Sequence, residues 1–72
     1  MSVTDKPNKE EIISEFKTMK EMELVARNLY TKIARSPETP QQLKIAFAMM
    51  ANEENTHANI VQKIINIVTN TL

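Results

Sequence analysis

Leu43-Lys-Ile-Ala-Phe47-Ala-Met-Met50-Ala-Asn-Glu-Glu54-Asn-Thr-His57-Ala-Asn-Ile-Val61-Gln-Lys-Ile64-Ile-Asn-Ile-Val68 sets its numbered residues at alternating steps of four and three. That spacing lines one face of a bundle helix. Its members are apolar except for two neighbours, Glu54 and His57. Immediately upstream, Ser36-Pro-Glu-Thr-Pro40 is a loop, because each proline disfavours the helical conformation of its predecessor. Thr39 and Pro40 then supply an N-cap and a first-turn proline for the helix that follows.

Further upstream, Asn8 with Glu11 three residues on reads as a capping box, and Glu10 and Glu11 lie favourably against the helix dipole. Ile12, Phe16, Met19, Glu23, Ala26, Tyr30 and Ile33 repeat the four-and-three spacing, with Glu23 the one charged member. The pattern predicts helices over about 9–35 and 40–70, joined by a turn at 36–39 in one domain over 1–72. Met22, Leu29, Ile45, Met49, Ile60 and Ile67 widen both apolar faces beyond a narrow seam. Two helices cannot cover such faces alone. The fold class is therefore all-α, a two-helix antiparallel hairpin that dimerises into a four-helix bundle, as a homodimer or a higher homo-oligomer.

Composition narrows the chemistry. The 72 residues hold no cysteine, which removes disulfides, thiolate metal sites and thiol nucleophiles, and no glycine, which removes phosphate-cradling turns. Nine basic and nine acidic side chains balance, so the chain has no electrostatic footprint for nucleic acid or anionic membrane. The longest apolar run, Ile45 to Ala51, is too short to span a bilayer, and the stretch from Met1 to Glu11 lacks the apolar core of a secretory signal. A soluble cytoplasmic protein is expected. So short a chain needs a metal, a partner or both to be stable.

Glu23, Glu54 and His57 stand at seam positions among Met, Ala, Phe and Val. An unpaired buried carboxylate costs several kcal/mol, so three inward ionisable groups call for a compensating cation. Counted from the turn at about 1.5 Å per residue, Glu23 lies roughly 21 Å down one helix and Glu54 roughly 25 Å down the other, similar heights. Glu54 and His57, three apart, share one helical face and can converge on one ion. Glu-x-x-His is the spacing of di-metal bundles, in which two helices give one Glu each and two give Glu-x-x-His. One hairpin holds half of that set, and two copies complete it. Oxygen and nitrogen donors suit iron, with manganese or zinc as alternatives.

Plainer readings stand beside this one. Arg27, four residues after Glu23, could make a surface ion pair with it. His57 could be a hydrogen-bonded core histidine. Glu53 reads as solvated, while Met19, Met22, Met49 and Met50 read as core filler. Lys9, Lys17, Lys20, Lys32, Arg35, Lys44 and Lys63 form a dispersed solvated face.

Glu23-Leu-Val-Ala-Arg-Asn-Leu-Tyr30 resembles the first-helix motif of the rubrerythrin and ferritin-like superfamily, and Glu53-Glu54-Asn-Thr-His57-Ala58 resembles its second-helix motif. With one helix pair, the chain is most similar to the half-length encapsulated ferritins, which assemble their ferroxidase centre between subunits. The resemblance implies Glu23 and Glu54 as iron ligands, one of them bridging, and His57 as a terminal ligand. Together these would be the catalytic residues of a ferroxidase oxidising Fe(II) to Fe(III) at a di-iron centre. It implies Tyr30 as a hydrogen-bond donor to a ligating carboxylate, and an encapsulating shell protein as a partner. Residues of a different class of function, a metal-stabilised structural or interaction hairpin without turnover, would show the same three ligands.

Overall fold

The structure, a computed structural model, describes residues 7–71; residues 1–6 of the stretch read as lacking a secretory core lie outside it. Two helices, α1 (Lys9–Arg35) and α2 (Gln41–Thr71), form an antiparallel hairpin. The described residues contain no strand, and neither helix is long and apolar enough to cross a membrane.

Local chemistry sets the ends. Asn8 caps α1, its Oδ1 accepting from the Glu11 backbone N–H at 2.8 Å. The reciprocal bond departs from the usual box, since Glu11 Oε1 accepts from the Asn8 side-chain amide at 3.0 Å rather than from its backbone. Lys32 and Arg35 occupy the last turn, where positive charge opposes the helix dipole favourably. Ser36 ends the helix in an extended conformation, φ −68° and ψ 130°, the region imposed on a residue before proline. Thr39 N donates to Ser36 O at 3.2 Å and closes the turn. The Pro40 carbonyl accepts from Leu43 and Lys44, both at 3.0 Å, so helical bonding starts at Pro40.

The hairpin measures 49 × 25 × 13 Å, one helix thick. Its buried side chains, Ala51, Ala58, Val61, Ile65 and Val68, all belong to α2, and none belongs to α1. This corrects the expected seam of α2. Val61 and Val68 are buried as read, but Ala51, Ala58 and Ile65 complete the inner row, while Leu43 and Met50 are exposed. The row has rotated by about one position because alanine lets the helix axes approach, and the line of closest approach follows the small side chains. Met19, Met22, Met49 and Met50, read as core filler, are also exposed within one hairpin.

The two flanks of the hairpin differ. On one, Lys20 Nζ donates to Gln62 Oε1 at 2.6 Å and Arg27 Nη1 donates to Asn55 Oδ1 at 3.1 Å, a polar lacing between helices. On the other, helical periodicity places Met19, Met22, Leu29, Leu43, Met50 and Ile60, all exposed. An exposed apolar surface of this extent marks an interaction face.

Candidate metal centre

Glu23 sits near the middle of α1, and Glu54 with His57 near the middle of α2. Long uninterrupted helices hold them rigidly, and antiparallel pairing brings them level. His57 Nδ1 lies 3.6 Å from Glu23 Oε2 and 3.6 Å from Glu54 Oε1. One donor atom from each residue falls within 4.8 Å of the others, close enough for a single ion to be shared. At 3.6 Å neither contact of the imidazole is a strong direct hydrogen bond, so His57 converges on the two carboxyl groups without being satisfied by them.

Burial differs from the expectation. Glu23 and Glu54 are partly covered, at 24% and 21% side-chain exposure, but His57 is 53% exposed. Because the inner row of α2 passes through Ala58, the imidazole next to it falls at the rim. His57 therefore borders the apolar flank, where a facing molecule would cover it. The plain alternative for Glu23 does not hold: Arg27 turns instead to Asn28 and Asn55.

The Glu54 carboxyl is held above its usual value of 4.5, first by hydrogen bonding with the Glu23 carboxyl, then by partial desolvation and by the Glu23 charge. His57 pulls in the opposite direction through its charge and hydrogen bonding. Two carboxyl groups at one site resist simultaneous ionisation. A cation would relieve that resistance, and two carboxylates with an imidazole form a donor set that fits iron, manganese or zinc.

A pH dependence follows. Folded Glu54 binds its proton more tightly than unfolded Glu54, so the stability it contributes is complete below 4.5 and is lost as pH rises through the raised folded value. In metal-free protein, thermal denaturation of the native chain minus that of Glu54→Gln should show a falling difference across this window. A difference that rises with pH would contradict the shared-proton arrangement.

Tyr30, further along α1, packs its ring against Phe47 with centroids 5.8 Å apart and planes tilted at 47°. Among the described residues its hydroxyl makes no hydrogen bond. The amides Asn28, Asn55 and Gln62, which accept from Arg27 and Lys20, were not among the residues singled out from the sequence. One signal was present: Lys20 and Arg27 are seven apart on α1, as are Asn55 and Gln62 on α2, matched heptad steps on facing helices.

Residues 9–72 match the family model described as Rubrerythrin. No curated protein and no solved structure gives a match.

Proposed function

Because the chain belongs to the rubrerythrin family, of the ferritin-like superfamily, over residues 9–72, we propose that two copies of the hairpin bind iron between them and oxidise Fe(II) to Fe(III). The observation that carries this reading is the convergence of Glu23, Glu54 and His57 within 4.8 Å beside an open apolar flank. Two hairpins placed flank to flank supply four carboxylates and two imidazoles, the donor set of a di-iron bundle. The mid-length position of the ligands lets a two-fold axis through the site leave both helices overlapped along most of their length.

Each residue has a task in this scheme. Glu23 and Glu54 would give carboxylate oxygens, and because only ionised carboxylates ligate, metal uptake would weaken at low pH. His57 presents Nδ1. Tyr30 would donate to a ligating carboxylate once the second hairpin alters its surroundings. The facing apolar side chains exclude water and strengthen charge interactions at the site. A bound pair of ferrous ions would give up two electrons in total, one each, to dioxygen or peroxide. With no cysteine in the chain, re-reduction would come from an external donor.

Anaerobic addition of Fe(II) followed by air should give about two ferric ions per dimer, the stoichiometry of two half-sites. An iron-oxidation rate no greater than that without protein would overturn the ferroxidase reading. Tight metal binding at that same background rate would identify a metal-stabilised structural hairpin instead.

A further inference from the structure

Two cations lie within one helical turn of Glu23 on its own helix, Lys20 three residues before and Arg27 four residues after. Both spacings allow an ion pair with Glu23. Neither cation makes one. Lys20 Nζ donates to Gln62 Oε1 at 2.6 Å, and Gln62 is oriented by its own Nε2, which donates to Asn66 Oδ1 at 2.9 Å. Arg27 spends three N–H groups on neutral amides: Nε and Nη2 donate to Asn28 Oδ1 at 3.2 and 3.0 Å, and Nη1 donates to Asn55 Oδ1 at 3.1 Å. Among the described residues, the only ion contacts are those of His57 with Glu23 and Glu54.

We propose that Asn28, Asn55 and Gln62 are positioning residues that hold Arg27 and Lys20 on the closed flank, so that Glu23 keeps an unneutralised carboxylate for a divalent cation. The proposal rests on the metal centre described above and adds how its charge is kept available. Amide oxygens suit this work because they accept from a cation without carrying charge themselves. An acid in their place would anchor the cations equally well but would create a competing cation site. Asn55 lies between Glu54 and His57 in sequence, so the same stretch of α2 both ligates and holds back the competitor.

The probe is Co(II), measured by calorimetry on the full chain at low ionic strength. Replacing Asn28, Asn55 and Gln62 together by Ala frees both cations to reach Glu23, and affinity should fall about fivefold, the combined effect of two helix ion pairs. Adding Arg27→Gln and Lys20→Gln to that variant removes the competitors and should bring affinity back to within about twofold of native, about what one such pair contributes. Native affinity in the first variant, or no recovery in the second, overturns the proposal. Should the first variant lose helical circular dichroism, Arg27→Gln with Lys20→Gln in the native background decides the matter. Affinity then stays within about twofold if the cations are already held away, whereas a gain of about fivefold shows that they were neutralising Glu23 and overturns it. A native chain that takes up no Co(II) fails differently, because it removes the metal centre itself.

Discussion

Glu54→Ala chains bind Co(II) about a hundredfold more weakly than native chains, or worse, since even partners of metal ligands can contribute that much. In the proposed dimer the substitution deletes one carboxylate from each half-site and leaves only Glu23 and His57 of each set. In metal-free protein the effect has the opposite sign. Glu54 carries the raised pKa that its crowding against Glu23 produces, so its removal relieves repulsion at neutral pH and leaves stability unchanged or improved. Calorimetry with Co(II), paired with thermal denaturation in chelator, separates these outcomes. A variant that loses stability in chelator as much as it loses metal affinity would show Glu54 to be a folding residue.

Ile60→Lys abolishes assembly at micromolar concentration. Ile60 lies on the apolar flank that also carries Met50 and Leu29, and it is exposed in the single hairpin. In the proposed two-fold pairing the substitution changes both copies at once. Losing two isoleucine side chains from such an interface, at about 1.5–3 kcal/mol each, would weaken it by roughly a hundredfold to ten-thousandfold. Size-exclusion chromatography with light scattering measures this directly. Asn66→Lys, on the laced flank, is the control and should leave the mass unchanged. If Ile60→Lys remains a dimer of native affinity, the hairpins meet through another surface.

The two helices and the turn were legible because a small number of residues decide them. Asn8 and Glu11 announce a start, Ser36 and Pro37 a stop, and nothing from Ile12 to Ala34 interrupts the helix. Glu23, Glu54 and His57 stood out as polar members of apolar rows, and the structure brings them together. The azimuth of α2 was less legible. Apolar side chains cover much of its circumference, so a row through Leu43, Met50 and His57 and a row through Ala51, Ala58 and Ile65 fit the periodicity equally well. Only packing against α1 selects the second, through the small size of Ala51 and Ala58. His57 consequently sits at a rim, a position that periodicity alone assigned to the interior.

The amides were hidden for another reason. Asn28, Asn55 and Gln62 look like ordinary solvated residues, and Lys20 and Arg27 like part of a dispersed charged face. The pairing of Asn55 with Arg27 and of Gln62 with Lys20 depends on which residues stand opposite one another across the hairpin, a long-range register that spacing within one helix does not specify. The Glu23–Arg27 pair that local spacing allowed gives way to contacts of Arg27 with Asn28 on its own helix and with Asn55 across the hairpin.

One further consequence comes from the absence of any buried side chain on α1. A plate one helix thick covers its α1 side chains only in part, and in the proposed pair of hairpins the rest of their shelter would come from a neighbour. In such a pair, folding and association would cease to be separate events, and the amount of protein present would become a term in its own persistence. Scarce or iron-starved chains would spend more time open to proteases, so the supply of metal would help to determine how long each molecule survives.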